Sequence, residues 1–363
     1  MIEDKEQVDI LRKFYDVDVD APYYPTGVTL LDEVVGGGLG YGYAGGKFIN
    51  IAGDSSSGKS YQAWHTIIAN IHFWEQHGIP FKWVYDDAEF GSTMDLEAIY
   101  GVTPEPENLT NSASVEQFHA SVNKFLTGLA PGERGIYVLD SLDPLKTEND
   151  VKLVEEDLSK IEDGKKVERG SYDMAKQKYL SSRFFPQISN LLHETQAIVI
   201  IISQVRYNIS GMGAQYTVGG GKAADHYYNT RVMFQKQNTY SVNREKESID
   251  IGMGVKATLK KNKCPRPGRS CMFDIFFSRG VDDVGACVDY LYQLRTPTGL
   301  LAKSTSIEWD GEEFKNRDLF IKHVYANGLY RELRRRTIEK WERIEQSGVD
   351  EAQNRIPEQQ WEW

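Results

Sequence analysis

Four short β-rich runs decide what this chain can fold into. KFINIAG (47–53), FKWVYDDAE (81–89), RGIYVLDS (134–141) and AIVIIISQ (197–204) are separated by helix-like segments. Strands alternating with helices predict an α/β fold around a mostly parallel sheet. Each run ends in residues with chemical use: Gly53, then Asp87 and Glu89, then Asp140, then Gln204. In a parallel sheet the strand C-termini line one edge, and ligands of open α/β sheets bind along that edge. Four separated runs therefore aim their polar ends at one place.

The first run leads directly into GDSSSGKS, comprising Gly53, Asp54, Ser55, Ser56, Ser57, Gly58, Lys59 and Ser60. This is the G-x-x-x-x-G-K-[ST] pattern, with a strand before it and the helix-like YQAWHTIIANI after it. The two glycines let the backbone N–H groups turn inward toward phosphate oxygens. The following helix presents its positive end. Lys59 is placed for the β/γ-phosphates and the Ser60 hydroxyl for Mg²⁺. Asp140 fits the carboxylate of such a metal site, directly or through water. Glu89 is placed to activate an attacking water. Gln204 is placed to sense the γ-phosphate, although a strand-end turn residue reads the same from pattern alone.

The length of 363 residues fits a core of roughly 250 residues plus a smaller unit. No apolar run reaches membrane-helix length, and the N-terminus MIEDKEQVDI lacks the apolar stretch of a signal peptide. Cys264, Cys271 and Cys287 form no CxxC pair and read as reduced thiols of a cytoplasmic protein. The net charge of −11 argues against a nucleic-acid partner, but both termini are acidic and the charge is uneven. Lys256, Lys260, Lys261, Lys263, Arg266 and Arg269 fall in one stretch without an acid. Local patches, not totals, govern phosphate binding. On charge alone the stretch is equally a solvated face. Residues 3–14 suit a short helix, and Pro22 and Pro25 mark a linker. Past about Ser278 the texture changes. WDGEEF (309–314) signals a hairpin, and 317–346 reads as helix broken near Asn327-Gly328. The predicted organisation is a segment 1–25, an ATPase core 26–285 and a small α+β unit 286–363.

These residues resemble the RecA-type recombinases over roughly 25–285. PTGVTLLDEVVGGGLGYGYAGGKFINIAGDSSSGKS is similar to their lead-in and phosphate loop, YDDAEFG to the strand carrying their catalytic glutamate, and VLDSLDPL to their metal-carboxylate strand. IIISQVR is similar to the strand whose glutamine couples ATP to DNA binding. KATLKKNKCPRPGR resembles the strand whose lysines, here Lys261 and Lys263, reach ATP on the neighbouring subunit. DDAEFG, MAKQKYLSSRFFPQIS and VGGGKAADHYYNT look like the bacteriophage branch, the UvsX-type recombinases, while Gln204 and the KNK run look more like bacterial RecA.

The resemblance implies a RecA-like core that binds ATP and Mg²⁺ and forms a helical filament on single-stranded DNA, with ATP between protomers. It implies strand exchange with a homologous duplex in recombination and repair, DNA-stimulated ATP hydrolysis, and single-strand-binding and loading proteins as further partners, in the host cytoplasm if phage-encoded. Two DNA segments are implied. The first lies within Lys146–Tyr179, with Arg169, Met174, Lys176 and Lys178. The second lies within Arg206–Ala224, with Arg206, Ile209, Gly219, Gly220, Gly221 and Lys222. Apolar wedges such as Met174 and Ile209 hold stretched DNA without reading its sequence. Tyr100 is the position expected to stack on adenine, or else a packing tyrosine. The rival readings are a helicase motor with the same core, a single-strand binding or annealing protein that uses ATP only for assembly, and a small-metabolite kinase.

Overall fold

The computed structural model describes residues 22–36, 42–91, 94–153, 173–208, 215–218, 221–263, 268–295 and 306–355. Arg169, Ile209, Gly219, Gly220 and Cys264 lie outside these residues, as does most of the N-terminal segment.

In chain order the elements are β1 (Tyr23–Tyr24), α1 (Thr29–Gly36), β2 (Tyr43–Ala44), β3 (Lys47–Gly53), α2 (Lys59–Gln76), β4 (Phe81–Asp87), α3 (Leu96–Tyr100), β5 (Leu109–Thr110), α4 (Val115–Thr127) and β6 (Arg134–Asp140). Next come α5 (Asp173–Tyr179), a π-helical turn Leu180–Phe184, α6 (Phe185–Thr195), β7 (Ile198–Asn208), β8 (Gln215–Val218), α7 (Gly221–Tyr227), β9 (Thr230–Arg244) and β10 (Glu247–Asn262). The last are β11 (Ser270–Phe276), β12 (Gly280–Asp282), α8 (Asp283–Leu291), β13 (Ile307–Trp309), β14 (Glu312–Phe314), α9 (Arg317–Ala326) and α10 (Tyr330–Arg355).

The fold is α/β, as the alternating runs predict. Among the described residues the main sheet runs β12-β11-β10-β9-β3-β7-β6-β4-β5, with β8 paired to β7. The pairs from β9 through β5 are parallel, and β10, β11 and β12 extend the sheet antiparallel. The four apolar runs are the central parallel strands. Strands covered on both faces read as continuous apolar runs. Ile49, Ile51, Ile136, Val138, Ile198 and Ile200 face one core with Ala63, Trp64 and Ile67 of α2. Phe48, Tyr137, Leu139, Val199 and Ile201 face the other, with Phe118 and Val122 of α4 and Phe185 and Ile188 of α6.

Register aligns the functional edge. Gly53 is level with Gln204 and with Phe234, and Asp87 is level with Asp140. β9 and β10 continue past this edge as a two-stranded arm that turns at Glu245 and Lys246, both at positive φ. At the C-terminal end, Ile307, Trp309, Phe314, Phe320, Val324 and Leu333 share a third core with Val284, Cys287 and Val288 of α8. Asp310 and Gly311, both at positive φ, make the predicted hairpin turn. Cys271 and Cys287 are buried free thiols. No helix among the described residues is long and apolar enough to cross a membrane.

Candidate nucleotide and DNA site

The phosphate loop joins β3 to α2, and its two glycines are required by space. A Cβ on Gly53 would lie 2.4 Å from the Phe234 carbonyl oxygen. Gly58, which caps α2 at φ 91°, would meet Ile275 at 2.6 Å. Lys59 is buried and folds back over the loop, donating to the carbonyl oxygens of Gly53 at 3.1 Å and Asp54 at 2.6 Å. Burial lowers its pKa from the ordinary lysine value, and the carboxylates of Asp140, Glu89, Asp143 and Asp54 oppose that shift. Among the described residues the ammonium is thus held by carbonyl oxygens, acceptors weaker than the anionic oxygens of a carboxylate or phosphate.

Ser60 Oγ donates to Asp140 Oδ2 at 2.6 Å, and Tyr85 Oη donates to the same oxygen at 2.5 Å. Burial raises the Asp140 pKa, while these two hydrogen bonds pull it down. Ser60 and Asp140 offer one hydroxyl and one carboxylate, both hard oxygen donors. Mg²⁺ takes few protein ligands and completes its shell with water and substrate phosphates, so this donor set fits it.

Glu89 is exposed just past β4, where its Oε1 accepts from Ser141 Oγ at 2.6 Å and from Gln204 Nε2 at 3.3 Å. The backbone N–H of Gln204 donates to Asp143 Oδ2 at 2.8 Å. A cleft of about 540 Å³ joins Ser56–Tyr61 of the loop to Asp87, Glu89, Gly91, Met94, Asp140, Lys236, Met253 and Phe277. The fold thus brings Lys59, Ser60, Glu89, Asp140 and Gln204 to one edge.

Other expected residues sit elsewhere. Tyr100 does not line the cleft. Its ring packs beside His65, and its hydroxyl is buried against Gly280 without a hydrogen-bond partner among the described residues. Tyr61 and Phe277 are the aromatic residues at the cleft. Lys261 and Lys263 lie near the end of β10. Lys261 Nζ donates to the Asp225 carbonyl, and the Lys263 N–H donates to the Asn229 carbonyl.

Of the expected DNA residues, Met174 is 73% exposed on α5 and Lys178 is exposed. Lys176 departs from the expectation of a DNA contact. It is buried, and its ammonium donates to the carbonyl oxygens of Leu142 at 2.6 Å and Asp143 at 3.1 Å. Arg206 lies on β7 opposite Thr217 of β8, so part of the second expected loop is a hairpin. Gly221 and Lys222 begin α7.

Sequence reasoning passed over Tyr85, Ser141, Asp143 and Lys236. Tyr85 carried a readable signal, since it shares a strand face with Asp87, two residues on. The others are brought in by tertiary register.

Comparison with known proteins gives a consistent picture. A family model described as the RecA N-terminal domain matches residues 133–282. The chain is similar to Protein RecA of Paenarthrobacter aurescens, at 28% identity over 307 residues, covering 84% of this chain and 78% of that one. It is similar to Protein RecA of Campylobacter lari, at 29% over 269 residues, covering 73% and 69%. It is also similar to Protein RecA of Trichormus variabilis, at 28% over 302 residues, covering 82% and 75%.

Proposed function

Starting from the membership of this chain in the RecA family, we propose that it is an ATP-dependent DNA recombinase that assembles on single-stranded DNA and exchanges strands with a homologous duplex. The observation that carries the reading is the hydrogen bond from Gln204 to Glu89. It ties the carboxylate placed to activate water to the strand that runs on into the second expected DNA segment.

The residue roles follow from position. Lys59 leaves the Gly53 and Asp54 carbonyls for the β/γ-phosphates of ATP. Ser60 and Asp140 would hold Mg²⁺, which would supply charge neutralisation for the phosphates. Glu89 orients and deprotonates the attacking water, with Ser141 fixing one oxygen and Gln204 reporting the γ-phosphate. Met174 and Lys178 on α5, with Arg206 and Lys222 around β7 and α7, contact single-stranded DNA.

Register supports a role for Lys261 and Lys263 across a protomer boundary. Lys261 is opposite Arg231, three residues before Phe234, which is level with Gly53. β9 also lies between β10 and β3. At about 3.3 Å per residue along a strand and about 4.8 Å between strands, the two positions are separated by more than a lysine's reach. That separation puts their own cleft out of reach and agrees with the family expectation that they serve the phosphates of a second copy, with ATP as a bridge between copies.

The test is ATP hydrolysis with and without unstructured single-stranded DNA, at fixed low salt and saturating Mg²⁺, with Glu89→Gln as control. The expected result is stimulation by DNA that the control lacks. Equal rates with and without DNA would favour an assembly-only role for the nucleotide. Unwinding of a forked duplex without homologous DNA would favour a helicase motor.

A further inference from the structure

Lys176 is a buried cation. It belongs to α5, inside the first expected DNA segment, two residues from the exposed Met174. Holding an ammonium out of water is costly unless it is well bonded, and a methionine would fill the same volume. Its ammonium donates to the carbonyls of Leu142 and Asp143, in the turn that follows β6. That turn is fixed at every residue. Ser141 Oγ donates to Glu89, Leu142 N donates to the Ile202 carbonyl, and Asp143 accepts from the backbone of Gln204. Gln204 in turn donates to Glu89. Hydrogen bonds joined through the 141–143 backbone and Gln204 thus connect α5 to the carboxylate proposed to activate water.

We propose that Lys176 and Asp143 are positioning residues that couple the first DNA segment to Glu89, so that DNA taken up at α5 sets the geometry of ATP hydrolysis through the 141–143 turn. This rests on the recombinase reading above for the identity of the partner. It adds a route from the first DNA segment, which meets the one Gln204 offers through β7 at Gln204 itself. Lys176 transmits through the two carbonyls, and Asp143 through the Gln204 N–H. Spatial continuity alone does not establish coupling, so the test measures coupling directly.

Lys176→Met removes the ammonium and keeps the length of the side chain. Asp143→Ala removes the acceptor at a half-buried position, and it carries the test if Lys176→Met fails to fold. Two quantities are measured: ATP hydrolysis with and without saturating single-stranded DNA, and DNA affinity with a non-hydrolysable ATP analogue at several salt concentrations. The expected result is a loss of about tenfold in the DNA-stimulated kcat. DNA affinity should stay within about twofold and its salt slope should not change. The double variant should lose no more than the worse single one, because the two residues act in series.

A weaker DNA affinity with a salt slope smaller by about one phosphate contact would make Lys176 a DNA ligand and overturn the proposal. Equal proportional losses with and without DNA, together with a lower melting temperature, would make it a structural cation and overturn it as well. So would additive losses in the double variant. A wild-type protein that DNA does not stimulate would remove the recombinase premise and this proposal together. Stimulation that survives in both variants would overturn the coupling alone.

Discussion

Tyr85→Phe is the sharpest probe of the edge proposed to hold the metal. Tyr85 is 1% exposed, and its ring stacks on Trp64 with centroids 4.1 Å apart. The replacement deletes one oxygen and no carbon, so the stack and the packing volume persist. What is lost is a hydrogen bond of 2.5 Å to a buried carboxylate. Such charge-assisted bonds contribute about 1.5–3 kcal/mol. Asp140 keeps the Ser60 donor at 2.6 Å, so the carboxylate is not stranded and the lower half of that range applies.

Because the bond favours the ionised form of Asp140, its loss should raise the Asp140 pKa, which burial already holds above the ordinary aspartate value. At 1.36 kcal/mol per pH unit, about 1.5–2 kcal/mol becomes a shift of roughly 1–1.5 units. The assay is the pH dependence of Mg²⁺-ATP affinity between pH 4 and 8. The acid limb should move to higher pH by that amount in Tyr85→Phe, with affinity near wild type on the plateau. An acid limb that moves by less than about 0.3 units, with no change in thermal stability, would refute the argument that Tyr85 tunes the carboxylate.

Two further outcomes test the packing around the C-terminal helices. Asp289 is buried and accepts from Arg295 at 2.8 Å and from Arg317 at 2.5 Å. Asp289→Ala leaves two guanidiniums short of a partner and should cost about 3–5 kcal/mol; hydrogen exchange across α9 and α10 would read it, and a loss under about 1 kcal/mol would mean that Asp274 and water take over. Asp32 and Glu33 are buried on α1, and burial raises their pKa values to about 7 and about 8. The folded chain then holds protons that the unfolded chain releases between about pH 4 and 8, so stability falls as pH rises through that window and is flat above it. Urea midpoints from pH 5 to 8 should decline in the wild type and flatten in an Asp32→Asn, Glu33→Gln variant; a rising midpoint would reverse the sign of the burial argument.

What the sequence made legible follows from the local physics. The central strands could be read because both faces are covered: Phe48 serves one core and Ile49 the other, so the run is apolar throughout. The phosphate loop could be read because backbone space leaves no alternative to glycine at Gly53. The β9–β10 arm could not, since past Phe234 it leaves the sheet's parallel neighbours and loses the alternation that marks a strand. The Asp143–Gln204 bond joins residues far apart in sequence, and no local pattern encodes it.

Lys176 is a different case, because its signal was present and easily overlooked. KQK reads as a solvated charge run, yet helical phase separates its members. Met174 and Lys178 are four residues apart and share one face, whereas Lys176, two residues from each, falls on the opposite one. Four residues after Lys176 comes Leu180, which is fully buried. The phase that exposes Met174 and Lys178 therefore turns Lys176 inward, toward the 141–143 turn beside Glu89. One short helix carries both the residues proposed to face DNA and the side chain bonded to the Leu142 and Asp143 carbonyls, and that shared helix is what the Lys176→Met and Asp143→Ala measurements put to the test.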